Sequence, residues 1–209
     1  METLIHIFLH IDQYLAAIIQ EYGVWTYALL FLVMFIEMGV IIMPFLPGDS
    51  LLFAAGTMAA IGGLNVHLLA LVLVIAAILG DAVNYLLGYW VGPKIFHKED
   101  SLLFKKAYLM RAHEFYERYG GQAIIMARFI PIVRSFAPFV AGVARMNYWR
   151  FTFFNVIGGI LWVYLFVYVS YFFGNIPIVR ENFTLVIMAI IVLSVVPMGV
   201  EFMRHKLRN

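Results

Sequence analysis

Five ionisable side chains stand within or at the edge of apolar runs: Glu37, Asp49, Asp81, Arg128 and Arg134. A charge at the centre of a bilayer costs roughly 2.5–3.5 kcal/mol on insertion scales, so five incidental ones are not expected. The set is therefore a candidate site. Arg128 and Arg134 are the two Lys or Arg residues that fall inside the apolar segments. A guanidinium stays charged at any relevant pH and presents a planar fork that matches the oxygens of a phosphate, so these two are candidates for holding an anion in a cavity. Glu37 and Asp49 suit two roles: counter-ions that occupy the arginines without ligand, or a proton-binding pair, since loss of water favours the neutral form of a carboxylate. Asp81, with Asn84 and Tyr85 nearby, suits a site role or a hydrogen-bonded helix contact equally. The plainer account of all five is a set of ion pairs that holds the structure together.

The elements that must position these residues follow from composition. Of 209 residues, 64% are apolar and 12% charged, against about a quarter charged in soluble domains. That much apolar surface cannot be hidden in so small a core, and several runs reach the roughly 20 residues that a helix needs to cross hydrocarbon. The expected class is an all-α polytopic membrane protein, one integral domain over 1–209. The absence of cysteine excludes disulfides and thiolate metal sites. Met1-Glu2 opens acidic and no short apolar stretch precedes a small-residue cleavage site, so no cleaved leader is expected.

Residues 2–21 place His6, His10, Gln13 and Gln20 on one helical face, the pattern of a helix lying at the interface. Val24 to Ile42 reads as a spanning helix with Trp25 and Tyr27 at a headgroup boundary. The run from Pro44 to Asp49 then interrupts it, and 50–61 is too short to cross. Residues 64–91 form the next crossing. Between 93 and 120 basic and acidic residues mix with Phe104, Tyr108, Phe115 and Tyr119 at helical spacing, an amphipathic linker. Residues 122–142 are apolar but carry Pro131 and Pro138, while 151–173 and 183–202 are ordinary spans before a basic tail.

The positive-inside rule puts the 93–120 linker and the tail in the cytoplasm. Counting back two spans from the tail returns the chain to the cytoplasm at Arg145 and Arg150, so 122–142 must enter and leave on one side. A re-entrant hairpin broken by the two prolines satisfies this. If 44–63 is the corresponding hairpin from the opposite face, the N-terminus is cytoplasmic too. Phe45-Leu46-Pro47 before Ala54-Ala55-Gly56 parallels Phe129-Ile130-Pro131 before Val140-Ala141-Gly142, an inverted repeat of the kind that forms sites at mid-membrane. The halves are 1–92 and 121–209.

Other chemistry finds little support. His113-Glu114 lacks the second histidine of a zinc-protease helix, and neither a Gly-rich phosphate loop nor a nucleophile elbow is present. A lipid phosphatase is disfavoured because no nucleophile stands beside a base. No metal, cofactor or nucleic acid is expected.

Glu37, the run Phe45-Leu46-Pro47-Gly48-Asp49-Ser50, Gly80-Asp81, Ala127-Arg128-Phe129-Ile130-Pro131-Ile132-Val133-Arg134 and Ala141-Gly142 closely resemble the DedA family of bacterial inner-membrane proteins. The similarity extends to Tyr22-Gly23-Val24-Trp25 and Asn155-Val156-Ile157-Gly158. The resemblance implies the VTT domain shared with eukaryotic lipid scramblases, two opposed re-entrant hairpins, and functional acids and arginines at Glu37, Asp49, Arg128 and Arg134. It also implies a membrane lipid translocase, with undecaprenyl phosphate or a phospholipid as the anionic lipid and protons as a coupling ion; a proton-driven exporter of small solutes or drugs is the alternative. A homo-oligomer is compatible with all of this. The parity argument predicts that cysteines placed at Ala107 and at Asn147 are both labelled from the cytoplasm alone; periplasmic labelling at Asn147 would overturn it.

Overall fold

A computed structural model of the chain describes residues 22–39, 48–60, 62–96 and 119–181. All regular structure among them is helical: α1 (Val24–Gly39), α2 (Gly48–Ala60), α3 (Val66–Phe96), α4 (Gln122–Ala127), α5 (Pro131–Val143), α6 (Tyr148–Gly174) and α7 (Pro177–Glu181). The interfacial helix expected over 2–21, most of the 93–120 linker, the span at 183–202 and the basic tail lie outside the described residues, as do residues 40–47.

Among the described residues, two helices are long and apolar enough to cross a membrane: α3, over Val66–Val91, and α6. At 1.5 Å per residue these 26 and 27 residues reach about 39 and 40 Å, more than the roughly 30 Å of hydrocarbon. Their outward faces are apolar, with Ile75, Leu79, Val83 and Leu87 exposed along α3 and Phe153, Ile160, Leu161 and Leu165 along α6. Exposed Trp90 and Trp149 stand near helix ends, where an indole suits the headgroup boundary. Asn65 starts α3, its Oδ1 accepting from His67 N–H (3.0 Å) and Leu68 N–H (3.1 Å), and Asn147 starts α6, its Oδ1 accepting from Arg150 N–H (3.2 Å).

Where the sequence places a broken hairpin at 122–142, the chain forms two helices, six and thirteen residues long, each too short to cross. Pro131 opens α5, its fixed φ suiting the first helical turn, and Ile130 before it is extended (φ −114°, ψ 106°). The break thus lies at 128–130. Pro138 is different: it sits inside α5 without ending it, so the second proline removes one ladder bond rather than supplying the break.

The described residues divide into two compact units whose boundaries fall inside α1, α3 and α6. The first holds α1 to Leu30, α2, α3 to Val72 and α6 from Tyr164. Within it α2 packs on α6 through small residues: a Cβ on Gly174 would lie 2.8 Å from Thr57 Cγ2. Buried Thr57 and Ser170 satisfy their hydroxyls on their own helices, at Phe53 O (2.8 Å) and Phe166 O (2.7 Å).

The second unit holds Phe31 to Gly39, α3 from Leu73, α4, α5 and α6 to Val163. Its apolar core gathers Tyr85, Ala123, Ile124, Ala141, Ala144 and Phe151, with the Tyr85 and Phe151 rings stacked at 4.5 Å. The Tyr85 hydroxyl donates to the Met146 carbonyl, tying α3 to the turn before α6. Glycines set the spacing. A Cβ on Gly80 would lie 3.0 Å from the Phe35 carbonyl, and one on Gly142 would be 2.8 Å from Tyr89 N, so α1 and α5 both approach α3 backbone to backbone.

Candidate functional site

The close approach of α1 and α5 to α3 in this second unit brings polar side chains together where water does not reach. Glu37, Asp81, Asn84, Arg128, Arg134, Ser135 and Asn155 are all buried. Glu37 sits two residues before the Gly39 crossing on α1, and Asp81 directly follows Gly80 on α3. Arg128 occupies the C-cap of α4, at the start of the break between α4 and α5. Arg134 lies in the first turn of α5, after Pro131 has set the new helix axis.

The four charges form two ion pairs. Arg128 Nη2 donates to Asp81 Oδ2 and also to Asn155 Oδ1 on α6. Arg134 Nη2 donates to Glu37 Oε1 at 2.9 Å, and its guanidinium lies over the Trp162 ring at 5.0 Å from the centroid. Two amides brace the frame. Asn155 Nδ2 donates to the Ile78 carbonyl (3.1 Å), and Asn84 Nδ2 donates to the carbonyls of Met38 (3.1 Å) and Ser135 (2.9 Å), linking three helices at one atom.

The two guanidinium environments differ. Arg128 is 4% exposed, yet its Nε and Nη1 have no hydrogen-bond partner among the described residues. Its stem rests on the side of α6 left open by two glycines: a Cβ on Gly158 would lie 3.1 Å from Arg128 Cδ, and one on Gly159 would lie 3.6 Å from Nη2. Arg134 is instead flanked by a carboxylate and an aromatic face.

Of the five charges singled out in the sequence, four belong to this unit and pair within it. Asp49 belongs to the other unit, in the first turn of α2, where a helix N-terminus favours negative charge. Asp81, which the sequence leaves between two readings, is the partner of Arg128. Asn155, Gly158, Gly159 and Trp162 were not read as site residues. A signal for Asn155 was present: a lone amide in a long apolar run, with glycines three and four residues on, places all three on one helical face. Among the described residues, no group of three or more His, Asp or Glu is placed to hold a metal ion.

Chemically, the arrangement holds two permanently charged guanidiniums, each paired with a carboxylate. Burying a charge costs several kcal/mol after relaxation, and only a good pair offsets it. An oxyanion of the right shape can replace a carboxylate on a guanidinium without leaving either charge bare, because both present the same oxygen geometry.

The VTT domain model matches residues 46–172. The chain is 54% identical to Protein DedA of Escherichia coli strain K12, over 97% of this chain and 94% of that one. It is 42% identical to the uncharacterized membrane protein Rv0364 of Mycobacterium tuberculosis, covering 79% and 74%, and 36% identical to the inner membrane protein YqjA of Escherichia coli strain K12, covering 73% and 69%. No solved structure matches.

The ion pairs make a stability prediction. Asp81→Leu and Arg128→Met should each destabilise the protein by about 3–5 kcal/mol in a denaturant titration in mixed micelles, because each leaves a buried charge unmatched. The double variant should regain a large part of that loss. Additive losses would mean that the pair is not coupled.

Proposed function

The chain belongs to the DedA family of membrane proteins, and from that premise we propose that it is a translocase for an anionic lipid carrier, undecaprenyl phosphate, in the bacterial inner membrane. The observation that carries this reading is the pair of buried guanidiniums in one unit, each paired with a carboxylate at the broken α4–α5 segment. A phosphate crossing hydrocarbon needs its charge matched throughout the passage. Arginines parked on carboxylates provide that match at every stage, because a phosphate oxygen takes the place that Asp81 or Glu37 gives up. The polyprenyl tail stays in lipid while the headgroup passes.

In this reading α2 and the α4–α5 segment each enter and leave the hydrocarbon on one side, as an inverted pair of re-entrant elements, and both chain termini are cytoplasmic. Proton coupling enters through the acids. A proton on Glu37 weakens its hold on Arg134 and frees that guanidinium for a ligand, and Asp49 in the first turn of α2 is the second proton site.

The test separates headgroup recognition from general electrostatics. Proteoliposomes are compared for exposure of undecaprenyl phosphate at the outer leaflet, beside a matched neutral polyprenol. Wild type should move the phosphorylated lipid and not the alcohol. Arg128→Lys and Arg134→Lys keep the charge but lose the fork, and should slow the movement by at least about ten-fold. Equal movement of both lipids would remove headgroup recognition. No movement of either, with proton-driven efflux of a soluble cation intact, would establish the exporter reading instead.

A further inference from the structure

We infer that Asn155 is the positioning residue that holds Arg128 Nη2 while limiting the negative charge set against it before a ligand arrives, and so decides whether this arginine can accept an anionic headgroup. The inference rests on the phosphate-binding reading above and assigns one of its determinants to α6.

Arg128 Nη2 is shared by two acceptors, Asp81 Oδ2 and Asn155 Oδ1. The orientation of the Asn155 amide is not arbitrary: its Nδ2 donates to the Ile78 carbonyl, which leaves Oδ1 as the atom that must face the guanidinium. Nature of the acceptor then matters more than its position. An aspartate here would reach the same Nη2, but would place two carboxylates on one guanidinium and make the cluster net negative. Asparagine supplies the oxygen without the charge, so Arg128, Asp81 and Asn155 sum to zero.

The rest of the geometry agrees with an arginine held by one end. Nε and Nη1, which carry three of the five guanidinium N–H donors, have no partner among the described residues although the side chain is buried. Buried donors are normally satisfied, so these N–H groups select a ligand with several acceptor oxygens, the chemistry of a phosphate headgroup rather than of a single hydroxyl. Gly158 and Gly159 lie on the same face of α6 as Asn155, and a Cβ on Gly158 would come within 3.2 Å of Nε. One stretch of α6 thus seats the stem, holds Nη2 and adds no charge.

The experiment measures binding of undecaprenyl phosphate to the full-length protein in nanodiscs of neutral lipid by native mass spectrometry. Asn155→Asp should weaken binding by about ten-fold or more, since a second carboxylate competes with the phosphate and repels it. Asn155→Ala, which removes the acceptor without adding charge, should weaken binding too, but clearly less than Asn155→Asp does. The decisive variant is Asp81→Asn with Asn155→Asp, which moves the single carboxylate across Nη2 and restores the charge sum; it should bind within about three-fold of wild type. The melting temperature of each variant, read beside binding, separates this from a purely structural role, in which binding would follow stability. Wild-type binding in Asn155→Asp, an equal loss in Asn155→Ala and Asn155→Asp, or a folded double variant that fails to bind would each overturn the inference. Equal wild-type affinity for undecaprenol, the same lipid without phosphate, would sink the phosphate reading itself, independently of the Asn155 comparison.

Discussion

A guanidinium taken out of water must be matched by a negative charge wherever it goes, and the second unit is organised around that requirement. Two arginines come from one broken segment, Arg128 from the end of α4 and Arg134 from the start of α5. Their carboxylates come from different helices, Asp81 on α3 and Glu37 on α1. Side chains of this length meet only if the helices run close, and the glycines at the α1–α3 and α5–α3 contacts allow it. The amides of Asn84 and Asn155 then tie the backbones of α1, α3 and α5 to the same frame.

The same requirement links packing to the proposed activity. An unpaired buried charge would destabilise the unit, and each guanidinium is paired with a carboxylate that an oxyanion could replace. Arg134, flanked by Glu37 and the Trp162 face, is enclosed on two sides. Arg128 has its hydrogen bonds concentrated on Nη2. The two arginines therefore have different surroundings, which in the proposed function would suit successive roles in handing a phosphate from one environment to the next.

Much of this was legible in the sequence because the bilayer makes charge conspicuous. Glu37, Asp81, Arg128 and Arg134 each stood out against an apolar run, and each is now found buried in an ion pair. The spans at α3 and α6 followed from length and hydropathy alone. Pairing was not legible, since nothing in spacing says that Arg128 meets Asp81 rather than Glu37; that depends on helix crossings set by Gly39, Gly80 and Gly142. Asn155 and Trp162 do not stand out as site residues for another reason. An amide or an indole among aliphatics carries no formal charge and reads as packing until a guanidinium is placed beside it. The role of the two prolines was misjudged in one respect, because a proline at the first helical turn breaks a chain far more effectively than one seven residues further on within a packed helix.

The central claim is that a phosphate replaces a carboxylate on a buried guanidinium, and solid-state NMR measures that contact directly. The protein would carry 15N in its arginine guanidinium groups and be reconstituted with undecaprenyl phosphate, and the 31P–15N dipolar coupling would be recorded. The account predicts a phosphorus–nitrogen separation of about 4 Å, as a charge-assisted hydrogen bond requires, which weakens or disappears in Arg128→Lys. Lipid bound without any such coupling, or a coupling that is unchanged in both Arg128→Lys and Arg134→Lys, would contradict it.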